Sequence, residues 1–317
     1  MSRGYRDAFP VDSRSSAHSE GRPGFFTSPL EGFPGADFKS MSRAQRIALL
    51  RSLLEQKVHG LAFSPYLDGQ SPGLVIGEQQ IRDRLSIIQP YTRWIRTFSC
   101  TEGNEATPRI AHELGLKTMV GIDLGRDRTS NEAEFAAGLA VARQGHADIL
   151  AVGNEVLLRG DLSEDELLAA IASARKTAPG VRVGYVDAYF LFEKHPRLVD
   201  ACDVLLINCY PFWEYCPHEY SLHHMQEMYR RTERIAGGKP IVISETGWPS
   251  QGTPYGGAVP GDDEALNYFL NTYLWAEEEG IEVVYFAAFD ESWKTGDEGD
   301  VGAFWGVWDA QGRLKYR

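Results

Sequence analysis

Apolar residues recur along the chain in two alternating patterns. Eight short, nearly continuous apolar runs stand at HGLAFSPY (59–66), RWIRTFS (93–99), KTMVGID (117–123), DILAVGN (148–154), VRVGYVD (181–187), DVLLINCY (203–210), PIVISE (240–245) and EVVYFAAF (282–289). Between them lie segments with helical spacing of apolar positions, such as IGEQQIRDRLSIIQ, EAEFAAGLAVARQG and DDEALNYFLNTYLWAEEEG. Strands that are apolar on both faces belong to parallel sheets covered by helices. Eight β/α repeats of this length predict one closed (β/α)8 barrel of the TIM type over residues 46–317. An open doubly wound sheet would call for a glycine-rich phosphate loop after its first strand, and SPYLDGQSPG supplies no GxGxxG. Residues 1–45 lack this periodicity and are rich in Ser, Gly, Pro and Arg. They predict an N-terminal arm, partly disordered or strapped to the barrel by Phe25, Phe26, Leu30 and Phe33. The first helix is expected from Ser42, where Ser42 and Gln45 fit a capping box.

Polar residues break these runs mostly at one end. Tyr66, Arg96, Asp123, Asn154, Glu155, Asp187, Tyr210, Glu245 and Glu291 all fall at or just beyond the C-terminal end of an expected strand. In a (β/α)8 barrel those ends form one rim, the face on which active sites are built. Glu155 follows AVGN, and Glu245 sits in VISETGWPS. A carboxylate at the end of an apolar strand is costly unless it is paired, hydrogen-bonded or open to a cleft. The fourth and seventh strands stand three places apart around the ring, so their ends face each other across the mouth. Two carboxylates bracketing a cleft are the minimum equipment for cleaving a glycosidic bond. A spacing of about 5–5.5 Å would leave no room for an attacking water and would make the reaction retaining. The expected roles are nucleophile for Glu245 and acid/base for Glu155.

The neighbours of this pair fit the same chemistry. Asn154 suits a substrate 2-hydroxyl, and Tyr210 and Arg96 suit the support of Glu245. Aromatic residues crowd the same rim: Tyr66, Tyr189, Phe212, Trp213, Tyr215, Trp248, Phe289 and Trp293. Sugar rings stack their C–H faces on such planes. Trp213 and Trp293, in polar loop contexts, are expected to be platforms, whereas Trp275, Trp305 and Trp308 are expected in the core. Glu291 and Lys294 line the cleft or pair with each other. Asp297, Glu298 and Asp300 do not match calcium-loop spacing and predict a solvated loop. His218, His223 and His224 show no metal-ligand spacing and are expected at the surface.

Composition narrows the partners. The formal net charge is −12 and the pI about 5.2, which disfavours nucleic acid and permits a neutral glycan. Of the four cysteines, none forms a CxxC pair; Cys100, Cys202 and Cys209 lie in or beside apolar runs and are expected reduced and buried. No apolar run reaches the length of a membrane span. The first 25 residues lack the apolar core of a secretory leader, which leaves a cytoplasmic protein or one whose leader is not part of this chain. A monomer with no cofactor and no metal is expected.

At GLAFSPY, IRTFS, AVGNEV, NCYPFWEY, ISETGWPSQG and FDESWK the chain resembles glycoside hydrolase family 17, the β-1,3-glucanase and glucanosyltransferase family, over residues 57–317. The resemblance implies Glu155 as acid/base, Glu245 as nucleophile, Glu291 with Lys294 as auxiliary cleft residues, and β-1,3-linked glucan as substrate. Phe98 departs from the tyrosine usual in plant members, and the first-strand segment is similar to bacterial ones. Either water or a second glucan chain then accepts the glycosyl group. A glucan-binding barrel without turnover, or a retaining enzyme for another β-glucan linkage, is the alternative.

Overall fold

The computed structural model describes residues 38, 40–296 and 298–317, so the apolar cluster of the arm and Asp297 lie outside the described residues. Eight strands close in sequence order into a parallel barrel: β1 (Val58–Ala62), β2 (Thr92–Arg96), β3 (Lys117–Ile122), β4 (Ile149–Asn154), β5 (Arg182–Ala188), β6 (Val204–Asn208), β7 (Ile241–Thr246) and β8 (Glu282–Tyr285). β1 pairs with both β2 and β8, which completes the ring. The expected (β/α)8 barrel is therefore the fold.

Around it run α1 (Arg43–Glu55), α2 (Glu78–Ile88), α3 (Thr107–Glu113), α4 (Arg128–Arg143), α5 (Glu164–Thr177), the short α6 (Tyr189–Lys194) and α7 (Pro196–Ala201), α8 (Ser221–Ile235) and α9 (Asp262–Glu279). Their ends are written into the sequence. Ser42 and Gln45 form the expected capping box on α1, and Ser163 with Glu166 forms another on α5. α5 also opens on Glu164, Asp165 and Glu166 and closes on Arg175 and Lys176, in accord with the helix dipole. Among the described residues no helix is long and apolar enough to cross a membrane. Cys100, Cys202, Cys209 and Cys216 are buried free thiols.

Side chains alternate between the barrel interior and the helix layer, and partners in register face the same way. Arg96 pairs with Met119, Gly121 with Ala151, and Ala151 with Gly184, so these residues face inward. Three ladders then slip by one residue near their C-terminal ends: β4–β5 between Ala151 and Asn154, β6–β7 between Ile207 and Asn208, and β7–β8 between Ile243 and Thr246. A one-residue slip turns a side chain to the opposite face. After the slips, Asn154 stands level with Val186 and Glu245 level with Asn208, all facing into the mouth. Without them Asn154 and Glu245 would face the helices.

Close packing at the mouth demands a glycine on β3. A Cβ on Gly121 would lie 2.4 Å from the Thr97 carbonyl oxygen and 2.9 Å from Phe98 Cα, both backbone atoms. Gly121→Ala is expected to cost about 1–3 kcal/mol of stability by overpacking, although alanine normally suits a strand interior better than glycine. Urea unfolding checks this, and an unchanged midpoint refutes it.

Candidate active site

Glu155 and Glu245 meet at the barrel mouth, and one side chain touches both. The Asn208 amide, at the end of β6, donates to Glu155 Oε1 at 2.8 Å and to Glu245 Oε1 at 3.2 Å. The two oxygens therefore lie no farther apart than the sum of those lengths. Sharing one donor fits the closer of the two known spacings, about 5–5.5 Å between carboxyl groups, in which one carboxylate attacks the sugar itself. Ser244 Oγ donates to the Asn208 carbonyl at 2.9 Å, which fixes the amide so that its nitrogen faces the carboxylates.

Glu245 receives two further donors. Arg96 Nη1 donates to Oε1 and Tyr210 OH donates to Oε2 at 2.7 Å. Arg96 is almost fully buried, at 1% exposure, and its second nitrogen, Nη2, donates to Asn154 Oδ1 at 2.9 Å. Its guanidinium lies 4.5 Å from the centre of the Phe98 ring. The arginine thus links β2, β4 and β7 beneath the mouth.

Glu155 is built differently. Its φ is 52°, in the left-handed region that costs a non-glycine residue on the order of 1–2 kcal/mol, and it follows Gly153 at φ 81°. Such strain collects at functional sites held by their surroundings. Here the Glu155 N–H donates to the Val186 carbonyl at 2.8 Å, and Arg159 donates to the Asn154 carbonyl. Burial raises the Glu155 carboxyl well above its ordinary range, and the charges of Glu245 and Asp187 raise it further, while Asn208 and Arg159 oppose. The result is a carboxyl that keeps its proton at a pH where an exposed glutamate has lost it.

On the β8 side, Lys294 pairs with Glu291 at 2.8 Å, and Trp293 Nε1 donates to Glu291 Oε1 at 3.2 Å. Burial opposes the Lys294 charge, but Glu291, Glu298 and Glu245 together hold the ammonium above its usual value. Lys294 also sits 4.0 Å from the centre of the Phe286 ring. Trp293 is half-buried, and Tyr66 meets it edge-on at 6.0 Å while Asn104 donates to the Tyr66 hydroxyl at 3.4 Å. A shallow recess beside them is lined by Ala62, Ser64, Phe98, Ala287, Phe289 and Glu291.

Several expectations need correction. Asp187 faces away from the mouth, because it is level with the outward Ile207. It accepts from Tyr185 OH and from the N–H groups of Ala188 and Leu158, so it anchors the segment after Glu155. Tyr189 lies in the helix layer, where Arg231 donates to its hydroxyl at 3.2 Å. Trp213 is not an open platform. The turns after β6 fold it, at 4% exposure, among Phe212, Tyr255 and Trp305. Trp248 is likewise buried and donates to the Val259 carbonyl. Phe289 borders the recess, but Arg84 covers its ring at 3.5 Å and leaves little face for a sugar. Trp275, Trp305 and Trp308 are in the core as expected. His224 is not at the surface; it pairs with buried Glu214 at 2.9 Å. His218 stands against Trp248, and only His223 is exposed as expected. Glu298 turns inward from its loop, and burial pushes its carboxyl up to about 7 against the pull of Lys294.

Asn208 was not among the candidate residues. Its signal was present: a lone amide closing the apolar run LLIN, at the same rim as the others. Among the described residues, no group of three or more His, Cys, Asp or Glu side chains converges as a metal site would require.

Comparison with known proteins identifies the family to which the chain belongs. The model of the BtgE/BtgC glycoside hydrolase domain matches residues 60–306. The glucan 1,3-beta-glucosidase BGL2 of Candida albicans is 30% identical over 258 residues, 73% of this chain and 83% of that protein. Among solved structures, the glycoside hydrolase family 17 β-1,3-glucanosyltransferase of Rhizomucor miehei superposes with a TM-score of 0.73 at 27% identity, covering 82% of this chain and 96% of that one. An endo-laminarinase from Formosa superposes with a TM-score of 0.68 at 16% identity, which speaks for the fold alone. The chain belongs to the BtgE/BtgC glycoside hydrolase domain family, and the family 17 resemblance holds.

The bridging amide has a consequence that can be measured without any substrate. Asn208 lowers the Glu155 carboxyl by donating to its charged form. In Asn208→Ala the Glu155 titration, followed by 13C NMR of the side-chain carboxyl, moves to higher pH. A move to lower pH contradicts the bridge.

Proposed function

We propose that this member of the BtgE/BtgC glycoside hydrolase domain family is a retaining enzyme acting on β-1,3-linked glucan, with Glu245 as nucleophile and Glu155 as acid/base. The observation that carries the reading is the single amide of Asn208 reaching both carboxylates, which fits the closer spacing that a retaining pair uses. A Glu245 oxygen bonds to the anomeric carbon as the glycosidic C–O bond breaks, and the Glu155 proton passes to the leaving oxygen. The raised Glu155 carboxyl suits it to hold that proton until then. In the second step Glu155, now a carboxylate, takes a proton from the incoming hydroxyl, whose oxygen bonds to the anomeric carbon as the Glu245 ester breaks. Arg96, Tyr210 and Asn208 receive the negative charge that returns to Glu245.

The incoming hydroxyl belongs to water or to another sugar. The Candida albicans relative is named a glucan 1,3-beta-glucosidase, and a Rhizomucor miehei β-1,3-glucanosyltransferase was solved with laminaritriose, so both acceptors and a β-1,3-glucan ligand have precedent among the relatives. Asn154 is assigned to the 2-hydroxyl, Trp293 to stacking on a sugar ring, and Glu291 with Lys294 to the edge of the cleft. The likeness of the first-strand segment to bacterial members forms part of this proposal; the relatives named above from Candida and Rhizomucor are fungal. A monomer is part of this proposal: one barrel by itself brings Glu155, Glu245, Asn208, Arg96 and Tyr210 together.

The acid/base and nucleophile roles separate on activated aryl β-glucosides, which need little help from an acid. Glu155→Gln is expected to lose at least about 100-fold in turnover of laminari-oligosaccharides and to regain aryl glucoside turnover with azide, giving the β-glucosyl azide. Glu245→Gln is expected to lose turnover of both substrates. NMR of the first-formed sugar should show retained β configuration. Net inversion, or full oligosaccharide turnover by either variant, would sink the assignment.

A further inference from the structure

Asp123 follows β3, directly between the strands that supply Arg96 and Asn154, and no role above uses it. The register decides where it points. Met119 faces the interior with Arg96, Gly121 follows two residues on, and Asp123 two residues beyond that. Ile122, between them, faces the other way, since a Cβ on Gly138 of α4 would meet its side chain at 2.5 Å. Ile122 is level with Val152 in the last pair of the ladder, and Asp123 is the next residue, at the rim where β4 runs on into Gly153, Asn154 and Glu155.

The side chain is exposed, although the groups around it are largely enclosed. Its backbone N–H donates to Glu134 Oε2 at 3.3 Å, but among the described residues no donor reaches its carboxylate within hydrogen-bonding distance. The neighbouring cation, Arg159, is committed elsewhere: to Asp161 at 2.6 Å, to the Leu124 carbonyl at 3.1 Å and to the Asn154 carbonyl. Desolvation by the surrounding protein pushes the Asp123 carboxyl up to about 6, Arg159 pulls it down, and Glu134 and Asp161 add to the rise.

We infer that Asp123 is a substrate-binding residue, its carboxylate accepting hydrogen bonds from hydroxyls of the glucosyl ring held at Glu155 and Glu245. The inference rests on the glucan-active reading above and adds a residue to it. A neutral sugar presents donors around its ring edge, and an accessible carboxylate at the barrel mouth with no donor of its own is an acceptor for them.

Laminaripentaose is the probe, with binding measured by calorimetry in a Glu155→Gln background and kinetics measured in the otherwise unaltered enzyme. Asp123→Ala is expected to weaken binding about ten- to hundredfold, the worth of hydrogen bonds to a charged group. It should raise KM, with a melting temperature unchanged because the side chain supports no other residue. Asp123→Asn, which keeps one acceptor, should fall between. Unchanged affinity and KM in Asp123→Ala overturn the inference and leave the glucan reading standing. No turnover of laminaripentaose by the unaltered enzyme overturns that reading and the inference with it.

Discussion

Two carboxylates enclosed in one cleft repel each other, and the mouth of this barrel is arranged around holding Glu155 and Glu245 together despite it. An uncompensated buried charge costs several kcal/mol, so each must be met by a donor or carry a proton. The structure does both. Glu245 is met by Arg96, Tyr210 and Asn208, and Glu155 is pushed toward its protonated form by burial and by Glu245 itself. The asymmetry gives the pair different tasks, because a carboxyl that holds a proton and a carboxylate that does not are an acid and a nucleophile.

The barrel supplies this asymmetry through its irregularities. A regular eight-stranded ladder would send Asn154 and Glu245 into the helix layer. Single-residue slips in β4–β5 and β6–β7 turn them inward, and the left-handed backbone of Glu155 completes the arrangement on β4. These departures are local, while the closed ring and its helices keep their regular form. Stability and chemistry are in this way carried by different parts of the same strands.

Much of this was legible in the sequence. Eight apolar runs announced eight strands, and the polar residues at one end of each announced the active face. The strands proved shorter than the runs, because residues such as Tyr66, Tyr210 and Phe289 belong to the loops above the barrel. What was hidden depended on which face a residue takes. Asp187 and Asn208 both sit near strand ends, yet register sends the first outward and the second into the pair. Trp213 and Trp248 stand in polar stretches of sequence, but the loops after β6 and β7 fold back and bury them against Trp305 and Tyr268. Neither a slip nor a folded-back loop leaves a periodic trace, so neither was visible from patterning alone.

The central claim is that Glu245 bonds covalently to the glucosyl group during turnover. A 2-deoxy-2-fluoro-β-glucosyl donor with a good leaving group slows the second step and lets that ester accumulate. Mass spectrometry of the digested protein should then find the fluoroglucosyl group on the peptide that contains Glu245 and on no other. A label on Glu155 or elsewhere, or turnover of the donor with no labelled peptide, would contradict the account.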